Sequence, residues 1–191
     1  MSSKPNESLN ERLDRLRELV QDRDFLEGRG LSNEVNIRIF CYDPQDEMAV
    51  AHFLSQLLAD SSLQCRLLDC NLYRIFIEIC EDLDIMESIP LMEDEEGSSY
   101  LLEQLHTAVD KDEFVEKLRE KYHPQTGDVL VLSGIGDAFP YLRVFNLLEA
   151  IQPFFSNIPI LVLYPGSFDG SYLKLFNCLK PNHYYRAFNI V

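Results

Sequence analysis

The sequence predicts an α/β fold: a single domain built on a mostly parallel sheet with helices on both faces, Rossmann-like or degenerate P-loop-like. Val129–Leu132 and Ile158–Leu163 are continuous apolar runs, which are typical of strands buried on both faces. Segments with helical spacing alternate with strand patterns along the chain, and this alternation favours parallel strands. We expect an N-terminal helical extension at 1–30 and the α/β domain at 31–191.

The chain opens with a polar segment, followed by an amphipathic helix. Apolar residues recur at helical spacing between charges, at Leu9, Leu13, Leu16, Leu19 and Val20. Gly28 or Gly30 is suited to end this helix. Its apolar stripe could pack on its own domain or on a partner.

A strand and a capped helix follow. Val35–Cys41 alternates apolar residues on one face, which predicts a strand. Asp43 can cap the next helix, Pro44 fits its first turn, and Asp46 occupies the place of a reciprocal capping carboxylate. A second strand is predicted at Cys65–Asp69.

The middle of the chain is predicted to be helical on either side of one acidic loop. Helical spacing covers Leu72–Cys80, Ser99–Val109 and Glu113–Tyr122. The loop is expected at Pro90–Ser98.

The C-terminal part combines further helices with the last strands. Pro140–Ile151 is predicted to be helical, and Tyr164–Gly166 is expected to form a turn with Gly166 at positive φ. A short helix is expected at Tyr172–Leu179 and a last strand at Tyr184–Ile190.

The charge of the chain argues against direct contact with nucleic acid or anionic lipid. The net charge is −15, and both of those partners need a basic surface. No Lys or Arg occurs from Ile75 to Asp110, although this stretch is rich in Asp and Glu. It is either a solvated face or a docking surface for a basic partner.

Cysteine and histidine show no metal-binding spacing. The five cysteines lie at irregular intervals without a CxxC pair, which indicates reduced thiols, mostly buried. The first residues lack the hydrophobic region of a secretory signal peptide, and no apolar stretch reaches the length of a membrane span. We therefore expect a cytoplasmic protein without a metal site.

Ligands of parallel sheets bind beyond the carboxyl ends of the strands. The candidate segments there are Tyr42-Asp43, Asp69, Ser133–Asp137 and Tyr164–Gly170. The residues most suited to a cofactor are few: Ser133, Gly134, Gly136, Asp137, Tyr164 and Gly166.

The loop at Ser133–Asp137 matches no complete motif. The phosphate-loop pattern GxxxxGK[ST] is missing, and Phe139 stands where the dinucleotide fingerprint needs its third glycine. Asp137 places a carboxylate where an anion would bind, and Arg143 is the nearest cation in the sequence. The loop is either a tight turn that needs its glycines or a degenerate nucleotide site. Hydrolysis at a cluster of Asp69, Asp137 and Asp169 has little support.

Several stretches resemble one family, the BrxB family of BREX phage-defence islands. They are GLSNE at 30–34 with CYDP at 41–44, SGIGDAFPYLR at 133–143, IQPFFSNIPILVLYPG at 151–166, SFDG at 167–170 and HYYRAF at 183–188. The resemblance implies a part in host-DNA modification and phage exclusion, with the PglZ-type protein of the same operon and other BREX components as partners. It implies no catalytic residue and no cofactor. The first hypothesis is therefore a non-enzymatic adaptor, and the alternative is a nucleotide-sensing regulatory domain with a degenerate phosphate loop.

Overall fold

A computed structural model describes residues 7–28, 36–169, 172–179 and 189–190 of the chain. The helices are α1 Leu9–Leu19, α2 Arg23–Leu26, α3 Glu47–Leu58, α4 Leu72–Asp82, α5 Ser88–Glu96, α6 Ser98–Ala108, α7 Lys111–Lys121, α8 Ile135–Ala138 and α9 Val144–Phe155. The strands are β1 Ile37–Tyr42, β2 Arg66–Asn71, β3 Asp128–Ser133, β4 Ile160–Phe168, β5 Leu173–Leu175 and β6 Asn189–Ile190. The 30–34 stretch, Gly170 and 183–188 lie outside the described residues.

The sheet has the predicted mostly parallel character. Its order is β2-β3-β4-β1-β6 with every neighbouring pair parallel, while β5 pairs antiparallel with β4. This order differs from the 3-2-1-4-5-6 order of the Rossmann fold. From β1 the chain crosses to the far edge at β2 and returns through β3 and β4.

Helices cover both faces of the sheet, as predicted. On one face, α1, α2 and α3 pack on alternate side chains of β1, β3 and β4, including Phe40, Val131 and Leu161. On the other face, α4 and α6–α9 pack on the intervening side chains, including Ile39 and Leu132. Because both faces of the sheet are buried, the sequences of β3 and β4 contain continuous apolar runs.

The N-terminal helical segment is split in two and packs on its own domain. α1 ends at Leu19, and Asp22 caps α2 by accepting a hydrogen bond from the Phe25 backbone N–H at 2.9 Å. Leu16 is 1% exposed and Val20 is fully buried. The expectation of one continuous helix was therefore wrong, because a new capping residue restarts the helix at Asp22.

The acidic segment predicted as a loop at Pro90–Ser98 is mostly helical. Pro90 is the third residue of α5, where its missing N–H has no helical partner to lose. Gly97, with φ of 86°, then separates α5 from α6.

The helix predicted at Pro140–Ile151 begins four residues later than expected, at Val144. Arg143 has extended backbone and is the N-cap residue of α9, so the helix begins only after it.

The turn predicted at Tyr164–Gly166 and the helix predicted at Tyr172–Leu179 are both wrong. Tyr164, Pro165 and Gly166 continue β4, and the chain returns beside them as β5. After β5, Phe176 and Asn177 have φ of 54° and 61°, which ends regular structure rather than extending a helix.

Candidate functional site

The crevice of this sheet lies at the carboxyl ends of β1, β3 and β4. The helix that follows β1 covers one face of the sheet, and α8, which follows β3, covers the other. Open α/β sheets bind their ligands where consecutive connections diverge in this way. Three of the four predicted segments, those after β1, β3 and within β4, meet at this edge.

The segment after β1 brings three carboxylates, Asp43, Asp46 and Glu47, to this edge of the sheet. Asp43 caps the short turn Pro44–Asp46 by accepting from the Gln45 N–H at 3.0 Å, whereas Asp46 makes no side-chain capping bond to α3. The Tyr42 hydroxyl donates to Glu47 Oε2 at 2.7 Å. An α3 N-terminus that could favour an anion therefore already carries Glu47.

Burial, the hydrogen bond to Glu47 and the charge of Asp137 raise the pKa of Tyr42 well above its usual range. Asp137 is exposed and close enough to act on Tyr42 electrostatically, which joins the β1 and β3 segments in one acidic environment. Such an environment repels phosphate oxygens.

Arg12 is the cation that sequence reasoning missed at this edge. Its guanidinium donates to the Cys41 carbonyl oxygen and lies 4.6 Å from the centre of the Phe40 ring. Arg12 and Cys41 are 29 positions apart in the chain. No local motif could have placed Arg12 here, because its position depends on how α1 packs on the sheet. Burial raises the pKa of the Cys41 thiol to about 12, so the thiol stays protonated at neutral pH.

The glycines of the Ser133 loop are accounted for by packing. Gly134 has φ of 65°, and a Cβ there would lie 2.6 Å from Asn71 Oδ1, the side chain that caps α4. A Cβ on Gly136 would meet Phe176 Cε1 at 3.0 Å. Both glycines therefore permit close approach by the protein's own side chains. Ser133 is 9% exposed beside them.

The β4–β5 extension closes the crevice from the other side. A Cβ on Gly166 would lie 2.2 Å from the Lys174 carbonyl oxygen, so only glycine lets β5 pair at this position. Tyr164 is 2% exposed, with its ring centre 5.9 Å from that of Phe145. Burial raises the pKa of Tyr164 above its usual range.

One small cavity lies at this edge of the sheet. The cavity beside Tyr164 has a volume of about 40 Å³ and is lined by apolar side chains together with Arg143. Pockets for ligands of nucleotide size occupy roughly 300–1,000 Å³. Tyr164 lines this cavity, which has room for a few water molecules. The other predicted cofactor residues, Ser133, Gly134, Gly136, Asp137 and Gly166, are not in its lining.

The remaining aspartates do not complete a metal site in the described part of the chain. Asp69 lies on the edge strand β2, and its Oδ1 is buried without a hydrogen-bond partner among the described residues. Within those residues, no group of three His, Cys, Asp or Glu side chains is placed to hold a metal ion. No helix there is long and apolar enough to cross a bilayer.

A second, open groove lies at the amino ends of the strands. It has a volume of about 560 Å³ between the ends of α7 and α9, with His123 and Phe154 in its lining. The Arg119 guanidinium covers the Phe154 ring at 4.4 Å. Sequence reasoning missed this groove because its two helices are brought together only by the fold.

Comparison with known proteins assigns the family. A family model described as BREX protein BrxB matches residues 68–190. A BREX protein BrxB of Bacillus cereus (strain H3081.97) is 34% identical over 191 residues, covering 96% of this chain and 97% of that protein. A BREX protein BrxB of Escherichia coli O9:H4 (strain HS) is 27% identical over 183 residues, covering 96% and 92%. No solved structure matches the chain. The chain therefore belongs to the BrxB family of BREX proteins.

Proposed function

We propose that this chain is a non-enzymatic accessory protein of a BREX phage-defence complex, and that it acts by docking onto the PglZ-type protein of the same operon. Membership of the BrxB family is the observation that carries the proposal, because it places the chain in a multi-component defence system. Docking would serve both host-DNA modification and phage exclusion.

The state of the sheet edge supports an adaptor over a catalyst. The crevice in which α/β proteins usually bind ligands is occupied by Phe176, the β5 return and the carboxylates of Glu47 and Asp137. The cavity of about 40 Å³ beside Tyr164 would have to open considerably before it could hold a nucleotide. The chain's own side chains thus take the place of a ligand.

The net charge of the chain supports a complex in which other proteins contact the DNA. A net charge of −15 disfavours contact with DNA, so modification of host DNA would depend on partners that bind it. A strongly acidic subunit is suited to binding a basic surface on another protein.

The test is a tagged pull-down from cells that express the BREX operon, followed by mass spectrometry at several salt concentrations. We expect near-stoichiometric recovery of the PglZ-type protein. Recovery of the tagged chain alone at low salt would overturn the proposal and favour a nucleotide-sensing domain. A matched strain that expresses the tag without the chain controls for non-specific capture.

A further inference from the structure

Helix α5 lies on the surface of the domain without a single buried residue. Only Ile89 and Met92 pack against the core, each partly buried. Leu91 points away from them and is 64% exposed. Surface helices normally turn their large apolar side chains towards the core. Leu91 is therefore a large apolar side chain that the described residues leave exposed to solvent.

The neighbours of Leu91 on the helix surface are acidic. Residues three and four positions apart are adjacent on an α-helix, which places Glu87, Asp94 and Glu95 around Leu91. All three are exposed. The outer face of α5 thus presents one large apolar side chain surrounded by carboxylates.

These carboxylates keep their charge uncompensated in the described part of the chain. On α4, by contrast, Asp82 pairs with Lys117 at 2.5 Å and Glu78 pairs with Lys121. None of the ion pairs among the described residues involves a carboxylate of α5 or Glu87. No Lys or Arg occurs between Ile75 and Asp110 to supply one locally.

We propose that the outer face of α5 is a docking site for a basic protein surface, in which an apolar pocket rimmed by Lys and Arg receives Leu91. This inference rests on the proposed adaptor function and names the surface that would perform it. In such an interface Leu91 would be a buried apolar anchor, and the contacts around it would exclude water. The carboxylates would speed association and select a partner of opposite charge.

The same features disfavour the other classes of occupant. Nucleic acids and anionic membranes present phosphates, which the carboxylates around Leu91 repel. A second copy of this chain would bring another acidic surface against the first. A basic protein surface is the occupant whose charge complements this face.

The experiment is a calorimetric titration of the purified PglZ-type protein with the full chain and its variants, at low and at physiological salt. Leu91→Ser should weaken binding at least tenfold, and the double substitution Glu87→Lys with Glu95→Lys should weaken it at least tenfold while flattening its salt dependence. Met48→Ser is the matched control, because Met48 is 81% exposed but lies on α3, on the other face of the sheet. Its affinity should stay within twofold of wild type, and all variants should keep the wild-type melting temperature.

The alternative outcomes distinguish failure of this surface from failure of the adaptor function. Wild-type affinity for both α5 variants would overturn the docking site and leave the adaptor function standing. A pull-down from cells expressing the operon could instead capture a different BREX component. If Leu91→Ser abolished that capture, the result would support the site and overturn the PglZ-type protein as partner. Absence of binding to any BREX component by the wild-type chain would overturn both.

Discussion

Gly166→Ala is expected to lower the free energy of unfolding, because β5 lies closely against this glycine. The added Cβ would lie 2.2 Å from the Lys174 carbonyl oxygen and 3.0 Å from Tyr164 Cε1, whereas ordinary contact begins at 3.4 Å. The strands would have to separate by about 1 Å, since a carbonyl in a ladder cannot rotate away as a side chain can.

The cost follows from the pairing that this separation disturbs. Gly166 stands opposite Leu175 and Ser167 opposite Lys174, and the Phe176 N–H donates to the Pro165 carbonyl at 2.9 Å. Loss of two or three such hydrogen bonds, at about 0.5–1.5 kcal/mol each, gives roughly 3 kcal/mol. For a domain of this size that corresponds to a melting temperature lower by roughly 6–12 °C.

The assay is thermal unfolding followed by circular dichroism, with a urea titration to check that the transition stays two-state. Gly136→Ala is the matched control, because the added Cβ lies at the same edge but would meet side chains instead of backbone, the ring of Phe176 at 3.0 Å and Pro165 Cγ at 3.4 Å. The control should change stability by about 1 kcal/mol or less, since alanine also favours the α8 helix. Equal melting temperatures for Gly166→Ala, Gly136→Ala and wild type would refute the close approach of β5.

Three further predictions address the rest of the molecule. Leu16→Ala should lower the free energy of unfolding in urea by about 2–5 kcal/mol, because Leu16 is 1% exposed where α1 packs on the core. An unchanged free energy of unfolding would mean that α1 packs loosely on the sheet. The hydrogen bonds from Arg66 lower the pKa of Asp128. The ionised Asp128 therefore stabilises the fold above about pH 4, and this stabilisation is lost as the pH falls further. Asp128→Asn should reduce the drop in urea midpoint between about pH 4 and pH 2, and an unchanged drop would contradict this. Nucleotides with magnesium should leave the melting temperature unchanged. A ligand at about 100 times its Kd would raise the free energy of unfolding by roughly 2.7 kcal/mol.

The order of strands and helices could be predicted largely from the sequence, because the burial of each element sets the local pattern of apolar residues. Val129–Leu132 predicted β3 within one residue at each end, and Leu72–Cys80 predicted most of α4. Each pattern depends only on which face of the element meets the core.

The errors occurred where distant residues decide local structure. Tyr164–Gly166 has the composition of a turn but continues β4, since β5 pairs with it and Gly166 admits the Lys174 carbonyl. Pro90 indicated a loop, yet it occupies the first turn of α5, where proline is tolerated. Neither outcome could be derived from propensity alone.

The sequence indicated which segments would converge at the sheet edge, but not what their residues would contact. The segments at Tyr42, Ser133 and Tyr164 do meet at one edge of the sheet. Their glycines, however, contact Asn71, Phe176 and Lys174, and Arg12 reaches the edge from α1. These are tertiary contacts, which a single sequence does not record.

We propose that this chain works by binding a partner protein rather than by chemistry at the sheet edge. The most direct measurement is the efficiency of phage plating on cells that carry the complete BREX island, with Leu91→Ser or Asp137→Asn in place of the wild-type chain. Asp137 is exposed at the carboxyl edge, so its substitution should leave the fold intact. We expect Leu91→Ser to restore plating to the level of cells lacking the chain, while Asp137→Asn still excludes phage. Full exclusion with Leu91→Ser together with loss of exclusion in Asp137→Asn would contradict it.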